Sequence, residues 1–204
     1  MKRHLKDRFL PDYCVFPGGA VDDQDYDYEF AESKRIHELK AFNGISRKYY
    51  GYILCGIRET FEESGLLFAI DDKGNYPLIN TRASIEKFGL YRKEVFEKKI
   101  SFREMLQKEN LSPAVDNFFY ADRWITPPLF PIRYDTRFFA AAAPNCQETS
   151  HDGDELVDFQ WMTPGDALQN YKEGKIKLVI PTIKTLEFLK KFGKSGDVIE
   201  YLRK

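Results

Sequence analysis

Three glutamates are spaced so that one helix would gather them on a single face. Glu59, Glu62 and Glu63 stand in the segment Cys55–Leu66, and at about 100° of rotation per residue their side chains fall within an arc of roughly 100°. Arg58, on the flank of this face, neutralises part of the charge. Mg²⁺ combines a few carboxylates with the phosphate oxygens of a substrate, so the pattern indicates metal-assisted phosphate chemistry. The alternative is a solvated acidic helix face.

The elements that must position these carboxylates are also visible in the sequence. The spacing predicts a helix over about 47–64, with Gly65 at the position where a left-handed C-terminal cap favours glycine. A strand is predicted over 66–70. Upstream, a short strand over 13–16 is stopped by Pro17-Gly18-Gly19, a strong turn signal. The abrupt helix end and the glycine loop favour a functional site over a solvated face.

The rest of the chain alternates helices and strands, which indicates an α/β or α+β domain. We expect one domain over 1–204 with a helical insertion at about 83–110. Proline opens each of the last two predicted helices, as suits a first turn. The predicted elements are a helix around 30–39, two amphipathic helices within 83–110, strands over 118–125, 138–143 and 156–162, and helices over 164–171 and 181–192.

Composition excludes several classes of protein. The 204 residues are 43% apolar, which is enough to build a core. Their formal charge of −1 gives no overall attraction for nucleic acid or anionic membranes. Cys14, Cys55 and Cys146 form no disulfide or zinc pattern, which favours reduced thiols and a cytoplasmic location. No run reaches the roughly 20 apolar residues of a membrane span. We therefore expect neither nucleic-acid nor membrane partners.

The acidic segment resembles a known family. Arg58-Glu-x-x-Glu-Glu-x-Gly-Leu66 matches the second half of the Nudix box, R-E-U-x-E-E-x-G-U, and Phe16-Pro-Gly-Gly19 is similar to the F-P-G-G that opens it. Some 38 residues separate Gly19 from Arg58, and Tyr50 stands where a glutamate is usual relative to Arg58. Such an insertion is typical of the branch that contains the peroxisomal acyl-CoA diphosphatases. Three further segments agree with this branch: 123–127, 133–139 and 151–164.

This resemblance implies a fold, a metal and a set of site residues. The fold would be a Nudix-type α/β/α sandwich with a mixed sheet, a helical insertion and C-terminal helices. Glu59, Glu62 and Glu63 would bind Mg²⁺ or Mn²⁺ with the carbonyl of Gly18, and Arg58 would orient the carboxylates. A late acidic residue would serve as metal ligand or general base. Glu155 is the first choice, and Glu148 and Asp154 are the alternatives.

The resemblance also implies a reaction, in which water attacks a nucleoside diphosphate-X compound. CoA or an acyl-CoA is the favoured substrate, with 3′,5′-ADP and (acyl-)phosphopantetheine as products. A CoA motif would place Arg3 and Arg8 on phosphates, and Arg133 and Arg137 are further candidates. The alternatives are ADP-ribose, a nucleotide sugar or a dinucleotide, or a silent nucleotide-binding module. Little strand material precedes F-P-G-G, so either the start is truncated or a second subunit of a homodimer supplies the edge.

Overall fold

The computed structural model describes residues 1–3, 12–26, 47–147, 156–158 and 160–204, with the backbone alone for residues 3, 47–48 and 156–158. These residues form two compact units, one from 1–16, 118–142 and 151–204 and the other from 17–117 and 143–150. The helix expected around 30–39 lies outside the described residues. The expectation of a single domain stays a prediction.

The described residues form six helices and six short strands. The helices are α1 (Arg47–Ser64), α2 (Arg82–Phe96), α3 (Phe102–Lys108), α4 (Pro164–Lys172), α5 (Ile180–Leu189) and α6 (Ser195–Leu202), with 3₁₀ turns at Asp23–Tyr26 and Val115–Asn117. The strands are β1 (Lys2–Arg3), β2 (Ala69–Ile70), β3 (Ser112–Pro113), β4 (Phe119–Ile125), β5 (Asp135–Ala140) and β6 (Leu156–Asp158). None of the described helices is long and apolar enough to cross a lipid bilayer.

Helix α1 is the centre of the second unit. Leu54, Ile57 and Phe61 lie on its apolar face and are almost completely buried, which is the side opposite the glutamates that the periodicity predicts. The Phe61 ring packs 6.0 Å from that of Phe102 at the start of α3. Gly65 adopts φ +75°, and its amide donates to the carbonyl of Phe61 at 2.9 Å. The helix therefore ends where the sequence predicts, in a left-handed glycine.

The predicted insertion forms two helices, α2 and α3. Helix α2 begins at a capping box in which Thr81 and Ser84 bond each other's backbone amides, and α3 begins at the corresponding pair Ser101 and Glu104. Each box satisfies amides that the first turn of a helix leaves without partners. The helical interpretation of 83–110 is confirmed.

The first unit contains a hairpin and a helical layer. Strands β4 and β5 pair antiparallel, from Phe119 opposite Ala140 to Ile125 opposite Asp135. Strand β1 pairs antiparallel with β6. Helices α4 and α5 share a core formed by Ala167, Leu168, Leu178 and Leu186. Together with the second unit, these elements confirm an α+β fold, in which the named strand pairs are antiparallel and parallel pairing occurs at two isolated bridges.

Several predicted strands are shorter than expected. The strand expected over 66–70 begins only at Ala69, because the side-chain amide of Gln147 takes the place of a neighbouring strand beside Leu67. Gln147 Oε1 accepts from the Leu67 amide at 2.8 Å, and its Nε2 donates to the Leu67 carbonyl at 3.0 Å. The segment 13–16 makes only single bridges at Tyr13 and Cys14.

Two differences concern the hairpin and the end of the chain. Strand β5 runs over Asp135–Ala140 rather than 138–143, because its pairing with β4 sets its length. Helix α6 was not predicted from the sequence. It has only eight residues, and the ring of its Tyr201 packs 5.9 Å from Phe188 and 5.3 Å from Phe192. So short a helix depends on tertiary packing more than on propensity.

Candidate active site

The three glutamates lie together at the C-terminal end of α1 in the second unit. Glu59 and Glu62 both accept from Arg58 Nη1, at 2.8 Å and 3.2 Å, and their side chains are only 15% and 11% exposed. Glu63 is buried and its Oε2 accepts from the Gly18 amide at 3.0 Å. The carboxylate face of the helix is thus joined to the Pro-Gly-Gly loop.

The loop approaches the helix so closely that a side chain at Gly19 would displace the Glu59 carboxylate. A Cβ added to Gly19 would lie 2.5 Å from Glu59 Oε1 and 2.7 Å from Oε2. Gly18 has φ +153°, a conformation that residues with a side chain rarely adopt. The two glycines therefore let the loop backbone lie directly against the carboxylates, where the Gly18 amide bonds Glu63.

A buried aspartate anchors Arg58. Asp25, in the 3₁₀ turn Asp23–Tyr26, accepts from Arg58 Nε at 2.9 Å and from Nη2 at 3.0 Å. The Ala20 carbonyl accepts from the same Nη2 at 3.3 Å. This fork-to-fork pairing fixes the guanidinium plane, so the remaining nitrogen, Nη1, is aimed at Glu59 and Glu62.

The electrostatics of this cluster favour a cation. Burial raises the pKa of Glu59, and the charges of Glu62 and Asp25 raise it further, while Arg58 acts in the opposite direction. Desolvation is the largest influence on Arg58 and acts to lower its pKa, but the hydrogen bonds to Asp25 and the surrounding carboxylates raise the pKa above its usual value. A carboxylate whose pKa is raised in this way, as that of Glu59 is, is stabilised in its charged form by a nearby positive charge.

The residues fit a hard divalent cation. Among the described residues, no group of three or more His, Cys, Asp or Glu side chains is already arranged as a set of metal ligands, because Glu59 and Glu62 turn to Arg58 and Glu63 turns to Gly18. The donor atoms are all oxygens, the ligand type that Mg²⁺ and Mn²⁺ prefer. Glu59, Glu62 and Glu63 are therefore the described residues that could hold such an ion. That the Gly18 carbonyl is a further ligand stays a prediction.

Cys55 also borders the cluster, where its thiol lies 3.7 Å from the Gly19 carbonyl. Burial, with the nearby charge of Asp25, raises the pKa of this thiol to about 12. A thiol with so high a pKa is a poor nucleophile at neutral pH. Cys55 is therefore a packing residue of the site.

The remaining predicted site residues lie elsewhere or beyond the described residues. Arg133 lies in the hairpin turn, outside β5, where its Nε donates to the Thr126 carbonyl at 3.0 Å. Arg137 lies on β5, and its Nη2 is 3.2 Å from Asp135. The described backbone places Arg3 in β1. The candidates Arg8, Glu148, Asp154 and Glu155 lie outside the described residues.

The hairpin arginines are engaged in a local network. Arg123 donates to both oxygens of Asp135, at 2.7 Å and 2.8 Å, and these bonds, together with the charge of Arg137, lower the pKa of Asp135 to about 2. Strand β5 begins at Asp135, so Arg137 lies on the strand and Arg133 lies before it.

Asp25 is the site residue that the sequence reasoning missed. Counting back from Arg58 assigned the usual glutamate position to Tyr50, which lies buried within α1. Counting forward from Gly19 leads after six residues to Asp25, and that carboxylate holds Arg58. The long insertion therefore lies between Asp25 and Arg58, and the first half of the box keeps its spacing with aspartate in place of glutamate.

The similarity of the sequence to known proteins agrees with this geometry. Residues 37–189, which include Arg58 and the three glutamates, match the family model described as the NUDT19 Nudix domain. The chain belongs to this Nudix family. The shared range begins after the glycine loop and Asp25, so the structure adds these two features to what the family match covers.

Individual Nudix proteins are also similar to this chain. The acyl-coenzyme A diphosphatase NUDT19 of Xenopus laevis is 27% identical over 234 residues, which cover 99% of this chain and 62% of the relative. The putative nudix hydrolase 7 of Caenorhabditis elegans is 25% identical over 98% of this chain and 57% of its own length. The chain thus spans about three fifths of these relatives.

A solved structure confirms the fold. The crystal structure of a Nudix hydrolase from Alicyclobacillus acidocaldarius superposes with a TM-score of 0.79 at 24% identity, and the match covers 98% of this chain and 85% of that one. The predicted Nudix fold is therefore correct.

Proposed function

We propose that this protein is a Nudix hydrolase that cleaves a diphosphate bond in a nucleoside diphosphate-X compound with the help of Mg²⁺ or Mn²⁺. The observation that carries the proposal is the cluster of three helix carboxylates beside the glycine loop. One of them, Glu63, accepts a hydrogen bond from the Gly18 amide of that loop. Membership of the Nudix family supports the same reaction class.

Each residue of the site has a role in this proposal. Glu59, Glu62 and Glu63 hold the cation, and Arg58, itself anchored by Asp25, keeps Glu59 and Glu62 side by side. When bound, the cation neutralises phosphate oxygens and lowers the pKa of a water ligand. A carboxylate from the segment 148–155, Glu155 by preference with Glu148 and Asp154 as alternatives, serves as a metal ligand or takes the proton of the attacking water.

CoA or an acyl-CoA is the favoured substrate, with 3′,5′-ADP and (acyl-)phosphopantetheine as products. Support comes from relatives named acyl-coenzyme A diphosphatase and from the sequence motifs of that branch. Arg3, Arg8, Arg133 and Arg137 are the proposed phosphate contacts. Arg133 is exposed and its Nε donates to the Thr126 carbonyl, whereas Arg137 pairs with Asp135. A cytoplasmic location and a homodimer belong to the same proposal.

The test is turnover by the purified protein. CoA, an acyl-CoA, ADP-ribose and a diadenosine polyphosphate are each incubated with Mg²⁺ or Mn²⁺, and the products are identified by mass spectrometry. The proposal expects metal-dependent hydrolysis, fastest with CoA or the acyl-CoA. Faster turnover of ADP-ribose or a dinucleotide would contradict the favoured substrate and leave the diphosphatase standing.

Two variants test the assignment of the site. Glu62→Gln and Glu63→Gln remove a charge from the site while keeping the shape of the side chain, and we expect both to lose metal-dependent turnover. The matched control is Glu86→Gln, on α2, where Glu86 forms an exposed ion pair with Arg82. If wild type shows no metal-dependent turnover of any of the four compounds, the hydrolase proposal fails and a silent nucleotide-binding module becomes the better reading.

A further inference from the structure

The helical insertion at about 83–110, which forms α2 and α3, contacts α1 at the turn that bears the glutamates. Arg92 of α2 is buried, with 8% of its surface exposed, and its Nε donates to the backbone carbonyl of Glu62 at 2.7 Å. The bond is short and charge-assisted, and it joins residues that lie 30 apart in the sequence. Because a buried guanidinium does not serve solubility, the contact of Arg92 with the end of α1 indicates a structural role.

The end of α1 explains what this contact does. The last four carbonyls of a helix have no intrahelical partner. In α1 the carbonyl of Phe61 is bonded by the Gly65 amide at 2.9 Å, and the carbonyl of Glu62 is bonded by Arg92. A positive charge at a helix C-terminus is also favoured by the helix dipole. Arg92 thus acts as a C-terminal cap supplied from outside the helix.

The capped turn is the one that carries the site. Glu62 and Glu63 both lie in it, and Glu63 extends the connection to Gly18. We propose that Arg92 is a positioning residue: by bonding the Glu62 carbonyl it holds the last turn of α1, and thereby the carboxylates, in the arrangement that binds the divalent cation. This inference rests on the proposed metal-dependent function and assigns a role in it to the insertion.

A second contact from the helical insertion reaches Asp22, next to the 3₁₀ turn that contains Asp25. Lys98, two residues beyond the end of α2, pairs with Asp22 at 3.0 Å, and the Asp22 amide donates to Asp25 Oδ2 at 2.9 Å. The Lys98 side chain is exposed, so this ion pair contributes little energy by itself. The helical insertion therefore contacts both α1, which carries Arg58, and Asp22, which is bonded to the Asp25 that anchors Arg58.

The test measures metal binding apart from turnover. Mn²⁺ is titrated into the full chain and free Mn²⁺ is followed by electron paramagnetic resonance, for wild type and for Arg92→Met, which keeps a long apolar stem without a donor. We expect Arg92→Met to weaken Mn²⁺ binding about 10–100-fold, the usual cost of losing an outer-shell partner of a metal ligand. Turnover at saturating Mn²⁺ falls, while the KM of the nucleotide stays unchanged.

Two further variants separate positioning from general loosening of the fold. Val95→Ala lies on the same buried face of α2 and removes packing without removing a donor, so it is expected to lower the melting temperature and leave Mn²⁺ binding unchanged. Arg92→Lys restores a cation and a donor and should bind Mn²⁺ more tightly than Arg92→Met. If Arg92→Met does not fold, Arg92→Lys is compared with wild type, and weaker Mn²⁺ binding is again expected because its donor is displaced.

The outcomes distinguish the two proposals. Unchanged Mn²⁺ binding in the Arg92 variants, with Glu62→Gln losing it, overturns the positioning role and leaves the proposed function intact. Equal weakening by Val95→Ala also overturns the positioning role. A wild-type protein that binds no Mn²⁺ and turns over no diphosphate overturns both.

Discussion

Replacing Asp25 by asparagine is expected to destabilise the protein and to raise the Mg²⁺ concentration that it needs for turnover. Asp25 is buried and accepts three hydrogen bonds, two from Arg58 and one from the Asp22 amide. An asparagine oxygen can replace Oδ2, which serves two of these donors. The amide nitrogen would then face the N–H of Arg58 Nε, so one charge-assisted bond is lost and two donors oppose each other.

The magnitude follows from these contacts. A hydrogen bond to a charged group contributes about 1.5–3 kcal/mol, and breaking a buried ion pair by removing one partner costs about 3–5 kcal/mol in all. For a chain of this length each kcal/mol lowers the melting temperature by about 2–4 °C. Asp25→Asn is therefore expected to melt about 6–20 °C below wild type.

The functional effect has a definite sign. Without Asp25, Glu59 and Glu62 are the described carboxylates left to pair with Arg58, which strengthens its competition with a divalent cation for them. Turnover at low Mg²⁺ should fall, and higher Mg²⁺ should restore part of it.

The assays are thermal unfolding by circular dichroism and turnover as a function of Mg²⁺. Asp23→Asn is the matched control, because Asp23 is exposed in the same 3₁₀ turn, and it should behave as wild type. If Asp25→Asn melts with wild type and needs no additional Mg²⁺, the anchoring of Arg58 by Asp25 is not what organises the site.

Three further predictions follow from individual side chains. Gly19→Ala places a Cβ 2.5 Å from Glu59 Oε1 and must displace that flexible carboxylate, so turnover should fall about 10–100-fold while the melting temperature changes little; equal turnover would show that Glu59 need not be held where it lies. Gly89→Ala, exposed on α2 with open space at its Cβ, should stabilise the protein by about 1 kcal/mol in urea unfolding, and a destabilised variant would contradict the helical geometry there. Cys55, buried and with a pKa of about 12, should react with iodoacetamide at pH 8 on the order of a thousandfold more slowly than an ordinary thiol, as measured by peptide mass mapping; labelling as fast as the other two cysteines would refute its burial.

Local patterns predicted the elements that depend on neighbours in the sequence. Helix α1 and its glycine end were correctly placed, because apolar periodicity and Gly65 act within a few turns of chain. The insertion helices and α4 were predicted for the same reason. The strand over 66–70 was overestimated, because its first residues bond a distant Gln147 side chain, and no local pattern announces such a partner.

The sequence by itself determined which side chains could hold a metal ion: Glu59, Glu62 and Glu63, spaced on one helix face, together with the glycine loop of the Nudix box. Only the tertiary structure decided what holds that chemistry in place. Asp25 anchors Arg58 across 33 positions of sequence and Arg92 caps Glu62 across 30, and neither pairing is encoded in a local period. Helical periodicity is a property of adjacent turns, whereas a buried charge finds its partner only when the folded chain brings the two together.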